Sequence, residues 1–294
     1  MPTERQMTRI REWLLAESKR MHIERVKNAR KHCASSVHRP LAVGVAPGRR
    51  RPGPPTPPIP SGGAVGSATM SPSSGPLVLL HGFGSTFDHN WVQNGWVDIL
   101  ADFDCTVPVI DLPGHGSSDR STDLTDYGSV EEDVASLLPE PTSAVGFSAG
   151  ARILLRIAVA HPQRFNRLVL LGVGDNVFEE SDNSSLVEAL ESGAEPENVQ
   201  ARVFTRLAAS TGNDPAALAA FLRRTLPHLT PEDLAAVTCP VLVVLGTEDF
   251  VPSADRLVEA LPSATLVSVP GVDHFATPSD FGVIDATMRF LGLG

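Results

Sequence analysis

Cysteine is nearly missing from this chain of 294 residues. Cys33, Cys105 and Cys239 are odd in number and far apart, and no C-x-x-C pair or Cys/His cluster accompanies them. That excludes a disulfide framework and a zinc site of ordinary spacing, and makes a reducing, cytoplasmic setting the expectation. Lysine is absent beyond Lys31. No apolar run approaches the length of a membrane span and no secretory h-region is present, so stable membrane insertion is not expected. Glu4, Glu12, Glu17 and Glu24 also fit poorly with an organelle transit peptide.

Charge is divided unevenly. Residues 1–69 hold ten Arg and three Lys against four Glu, whereas residues 70–294 hold eleven Arg and no Lys against thirty acids. An acidic body argues against nucleic acid as the main partner and suits a soluble protein with a neutral or cationic ligand, or one living in salt, without choosing among them. It does not determine an oligomeric state.

The basic end is composed unlike the rest. Residues 3–32 are helix-favouring, with Ile10, Trp13, Leu14 and Met21 in a loose apolar stripe; a basic amphipathic helix can lie on a membrane or bind a partner, and the favoured reading is a solvated tail helix. Residues 39–75 are rich in Pro, Gly, Ser and Arg and cannot bury enough apolar surface to offset their ordering entropy. Residues 1–75 are therefore expected to be a disordered extension. The break in charge and lysine use further suggests a natural start at Met70, which the intact mass of protein from its native host decides.

From Pro76 onward, short apolar runs alternate with helical patterns. Strands are expected at Pro76–His81, Cys105–Asp111, the run ending at Phe147, Arg167–Val173, Pro240–Gly246 and Ala264–Val269. Helices are expected at Trp91–Phe103, Tyr127–Leu138, the segment after Ser148, Ser253–Leu261 and Phe281–Leu291. Continuous apolar strands joined by helices imply a mostly parallel, doubly wound α/β sheet covered on both faces. Residues 176–238 are too long for an ordinary connection. They show four helical patterns, near Ser185–Leu190, Val199–Ala209, Pro215–Leu226 and Pro231–Val237, and are expected to form a helical cap over the strand ends.

Chemistry enters at Gly146-Phe147-Ser148-Ala149-Gly150, a G-x-S-x-G motif between an apolar run and a helix. A sharp strand-to-helix turn exposes such a serine hydroxyl, and glycines two residues either side remove Cβ clashes. A serine is a weak nucleophile without an adjacent base, and the base needs an orienting acid. In a parallel sheet these should follow later strands. Asp249 stands directly after one apolar strand and His274 directly after the last. Taken singly, Asp249 reads as a helix N-terminal acid and His274 as a loop histidine; the order Ser148, Asp249, His274 joins them as a triad. Asp175 and Glu248 remain alternative acids. Backbone N–H groups of Ala149 and Phe83, the latter in His81-Gly82-Phe83-Gly84, are the candidate oxyanion donors. His81 reads as structural. In the cap, Leu186, Val187, Leu190, Val203, Phe204, Leu218, Phe221 and Leu222 suggest an apolar pocket, although most should simply pack the cap.

These motifs, with Asp111-Leu112-Pro113-Gly114-His115-Gly116-Ser117-Ser118, resemble those of capped α/β-hydrolases of the serine esterase type, from Pro76 to the C-terminus. The resemblance implies two-step acyl transfer with no metal and no organic cofactor. It also implies activity that falls in acid as the histidine takes up a proton. It makes the loop around His115 structural, with a pocket-lining role open to His115. A small or medium, moderately apolar carboxylic ester is the expected substrate. Thioester or C–C bond hydrolysis, acyl transfer to another acceptor, and slow-turnover ligand sensing would use the same residues. Ser148 argues against those relatives that use an aspartate nucleophile. Family members carry a β-hairpin ahead of the His-Gly strand. Here only Leu41–Val45 could supply a strand, so the hairpin is expected to be missing and Cys105–Asp111, with Pro108 inside it, to form the sheet edge.

Overall fold

The computed structural model describes residues 76–180 and 182–293. The chain divides into two units, Met1–Ala68 and Thr69–Gly294, and the described residues belong to the second. The expectations for residues 3–32 and 39–75, for Leu41–Val45 and the missing hairpin, and for a start at Met70 lie outside the described residues.

Five strands form one sheet in chain order, all neighbours parallel. They are β1 (Leu77–Leu80), β2 (Thr142–Phe147), β3 (Phe165–Leu171), β4 (Val241–Gly246) and β5 (Ala264–Val269). The nine α-helices among the described residues are α1 (Trp96–Ala101), α2 (Val130–Leu137), α3 (Ala149–Ala160), α4 (Ser184–Ser192), α5 (Val199–Ser210), α6 (Pro215–Leu222), α7 (Pro231–Leu234), α8 (Asp255–Ala260) and α9 (Phe281–Leu291). This is the parallel, helix-covered α/β sheet that the alternation of strands and helices implies.

The central strands are buried along most of their length because both faces are covered. Val78, Leu80, Ala144, Leu168, Leu170 and Val243 pack with α2, α3 and α8. The alternate residues Leu77, Leu79, Val145, Val169, Leu171 and Val244 pack with α1 and α9. Helices α4 to α7 lie between β3 and β4 in sequence, within the stretch expected to be helical. Among the described residues no helix is long and apolar enough to cross a membrane.

Three local expectations need correction. Cys105–Asp111 is not a strand: among the described residues no ladder bonds join it to β1. Its side chains still alternate, Cys105 and Val107 packing on one face of the sheet and Ile110 on the other. Pro108 contributes no N–H, so burial here outlasts hydrogen bonding. The helix expected over Trp91–Phe103 is split into a π-helical turn, Asp88–Val92, and α1. Gly95 between them is left-handed (φ +79°), which a continuous helix cannot accommodate. The pattern over Tyr127–Leu138 likewise becomes a 3₁₀ turn, Leu124–Tyr127, followed by α2.

Candidate active site

β2 passes directly into α3, and Ser148 forms the corner. Its backbone takes φ +51° and ψ −111°, a conformation that costs a non-glycine residue about 1–3 kcal/mol. Neighbouring bonds hold it there. Ser148 N–H donates to Leu171 O (2.9 Å), and Ser148 O accepts the N–H of Arg152 (3.0 Å), the first bond of the helix. A Cβ on Gly146 would fall 2.6 Å from the Ala151 backbone, and one on Gly150 would fall 2.6 Å from His81 O. The turn therefore closes only with glycine at both positions.

Two further loops meet this corner. The chain after β4 and the chain after β5 are bonded to each other: Thr247 N–H donates to Val269 O (3.0 Å) and Glu248 N–H to Val272 O (3.1 Å). The Asp273 carboxylate accepts the N–H of Ala276 (2.8 Å), shaping the turn that presents His274. The outcome is a continuous line of side chains. Ser148 Oγ lies 2.9 Å from His274 Nε2. His274 Nδ1 lies 2.9 Å from Asp249 Oδ2 and 3.1 Å from Oδ1.

Asp249 and His274 are almost wholly buried, and the imidazole lies against Phe250 and Phe147, with ring centroids 4.2 and 5.0 Å away. With a carboxylate on Nδ1, a neutral ring carries its proton there and leaves Nε2 to accept from the serine O–H. The alternative acids are placed elsewhere. Asp175 accepts the N–H of Leu257 (3.0 Å) in α8, and Glu248 is exposed.

Phe83 and Ala149 both line the cavity that contains Ser148 and His274. Among the described residues neither backbone N–H donates to a protein acceptor. The Phe83 loop is anchored on both sides, Gly82 N–H donating to the buried Asn90 Oδ1 (2.9 Å). His81 Nε2 accepts the N–H of Leu112 (3.0 Å), so its Nδ1–H donates to Gly82 O (2.8 Å). Burial pushes the His81 imidazole down to about 4, against the Gly82 carbonyl and the Asp111 charge, which pull it up. Its 3.5 Å approach to Asp111 is therefore no ion pair at neutral pH.

Burial raises Asp111 as well, but hydrogen bonds from Phe87 and Ser117 outweigh it and hold the carboxyl below its usual range. His115 packs behind the cavity wall against Phe83 and Phe221. Burial first, then the neighbouring His81, push it down to about 3. Its Nδ1–H donates to Pro113 O (3.0 Å), and among the described residues its buried Nε2 finds no partner.

One organising residue carried no sequence signal. Asn213, buried in the turn after α5, donates to Gly84 O (3.0 Å) and Ser85 O (3.1 Å) and accepts from Gly116 N–H (2.7 Å). It ties the turn between α5 and α6 to the Phe83 loop and to the loop around His115. An asparagine in a turn is so common that only the folded contacts distinguish it.

The cavity has a volume of about 1100 Å³. Leu186, Val187, Phe204, Phe221 and Leu222 line it from α4, α5 and α6. Leu190 and Leu218 are buried, and Val203 is exposed.

This architecture is matched by known proteins. The family model described as the Alpha/beta hydrolase family matches residues 77–285. A pimeloyl-[acyl-carrier protein] methyl ester esterase of Nitrosomonas europaea is 30% identical over 226 residues, covering 67% of this chain and 88% of that protein. Among solved structures, an esterase from Thermogutta terrifontis superposes with a TM-score of 0.59 at 20% identity, covering 73% of this chain and 88% of that one. A hydrolase from Oleispira antarctica gives 0.57 at 18% identity, covering 74% and 91%.

Proposed function

Because the chain belongs to the alpha/beta hydrolase family, we propose that it is a serine hydrolase that cleaves a carboxylic ester through an acyl-enzyme on Ser148. The observation that carries this reading is the unbroken hydrogen-bonded line from Ser148 Oγ through His274 to Asp249. In the first step Oγ attacks the carbonyl carbon while its proton passes to His274 Nε2. Asp249 stabilises the resulting imidazolium. The N–H groups of Phe83 and Ala149 receive the negative charge on the carbonyl oxygen. The C–O bond to the alcohol then breaks, and the alcohol leaves with the proton from Nε2. Water, deprotonated by His274, attacks the acyl-enzyme and returns the free acid and the serine hydroxyl.

The acyl group is small or medium and partly apolar, matching Leu186, Val187, Phe204 and Phe221 along the cavity. An ester is also what the Nitrosomonas relative is named for cleaving. A fluorophosphonate probe together with a short-chain 4-nitrophenyl ester tests the reading. Labelling and turnover are expected in the wild type, with both lost in Ser148→Ala, turnover by about 10³-fold or more. Turnover that survived this substitution would overturn it.

A further inference from the structure

The helix behind the proposed nucleophile presents more than its first turn to the cavity. Ser148, Arg152 and Arg156 stand four residues apart, so they share one helix face, rising about 6 Å at each step. All three line the cavity, and Arg224, just beyond α6, lines it too. Each guanidinium is held by the fold. Arg152 Nη2 donates to Asn176 O (3.2 Å) and Arg156 Nη2 to Pro227 O. Arg224 Nη1 lies 3.3 Å from Glu131 Oε1, with its guanidinium 4.2 Å from the Phe221 ring centroid.

The three arginines are close enough to act on one another. Burial lowers the pKa of each, Arg156 lowers Arg152 further, and both lower Arg224. Glu131 and, at longer range, Asp233 offset part of this. The other carboxylates around the cavity, Glu179, Glu180, Asp182, Glu188 and Glu191, are exposed, and Glu191 pairs with Arg223 at 2.7 Å. Inside a strongly acidic body, the cavity wall thus gathers three partly buried guanidiniums around one partly buried carboxylate. Such a wall concentrates positive potential where screening is weakest. Its planar forks match a carboxylate in geometry as well as in charge. The acidity that suggested a neutral or cationic ligand belongs to the molecule as a whole and not to this wall.

We propose that the ester substrate carries a carboxylate, which docks on Arg152, Arg156 and Arg224 while its ester carbonyl lies at Ser148. This rests on the reading of Ser148 as nucleophile. The helix sets the scale, placing the charge within about two turns, some 12 Å along the axis, of the reacting carbon.

Two pairs of esters test it. 4-Nitrophenyl hydrogen glutarate and 4-nitrophenyl valerate differ in a charge on the acyl side. 3-Carboxyphenyl valerate and phenyl valerate differ in a charge on the alcohol side. One charged ester is expected to exceed its neutral partner at least tenfold in kcat/KM, mainly through KM. That preference should shrink at least fivefold in Arg152→Gln and in Arg156→Gln, persist in part in Arg156→Lys, and decline with added NaCl. Arg289→Gln, on α9, should leave it unchanged.

Equal or better turnover of the neutral ester in both pairs would overturn the proposal, as would a preference that survives in the Arg152→Gln/Arg156→Gln double variant. Either result leaves the Ser148 reading standing. If no ester is turned over, that reading fails, and the anion site is judged separately by calorimetry on Ser148→Ala protein. Monomethyl glutarate should then bind more tightly than methyl valerate, and equal or weaker binding rejects the site.

Discussion

At the scale of single residues, the proposed chemistry depends on which imidazole nitrogen of His274 holds the proton. Asp249 accepts from His274 Nδ1 and also accepts the N–H of Val251 at 2.9 Å, so the carboxylate is fixed before any substrate arrives. An asparagine there would offer its amide N–H to Nδ1 in one orientation, moving the ring proton to Nε2 and removing the acceptor for the serine. Asp249→Asn is therefore expected to lower kcat by about 10³–10⁴-fold with little change in KM. Steady-state kinetics beside a thermal melt measure this. Activity within tenfold of wild type would mean that Asp249 does not orient the base.

At the scale of elements, the turn between α5 and α6 reaches across to the loops at the sheet's rim. Asn213 serves two carbonyls of the Phe83 loop and the N–H of Gly116, and Thr211 Oγ1 donates to Gly84 O as well (2.8 Å). Asn213→Ala leaves those buried groups short of a partner, at a cost of about 1–3 kcal/mol. It also loosens the loop that aims the Phe83 N–H, and misplacing this proposed oxyanion donor is expected to lower kcat by about tenfold or more. Measured kcat and KM, with fluorophosphonate labelling of Ser148 as a check that the nucleophile is intact, separate the two effects. A variant with normal kcat and only a lower melting temperature would confine Asn213 to stability.

At the scale of the whole molecule, two buried histidines couple folding to pH. His81 and His115 stay neutral in the native state down to about 4 and about 3, whereas in an unfolded chain both protonate near 6.5. Between those values the unfolded state binds more protons, so acid favours unfolding. The stability these residues contribute is complete above about pH 6.5 and is lost as pH falls through their native values. Denaturant titrations at pH 7.5, 6 and 5 should show a falling unfolding free energy, with the pair contributing at most about 3 kcal/mol per pH unit. Stability independent of pH across this range would mean that these imidazoles are not held neutral by burial.

Much of this protein could be read before it folded. Continuous apolar strands declare a parallel sheet because a strand covered on both faces has no polar side to show. Gly146, Ser148 and Gly150 declare the sharp turn because backbone atoms pass too close for any Cβ at either glycine. Chain order pointed to Asp249 and His274 because loops after parallel strands converge on one rim. What stayed hidden was whatever depends on residues distant in sequence. Cys105–Asp111 has the composition of a strand, but a ladder needs a partner's carbonyls and N–H groups, which local pattern does not contain. Asn213 and the arginine wall likewise became legible only in three dimensions, because a hydrogen bond or a local potential belongs to the atoms that folding brings together.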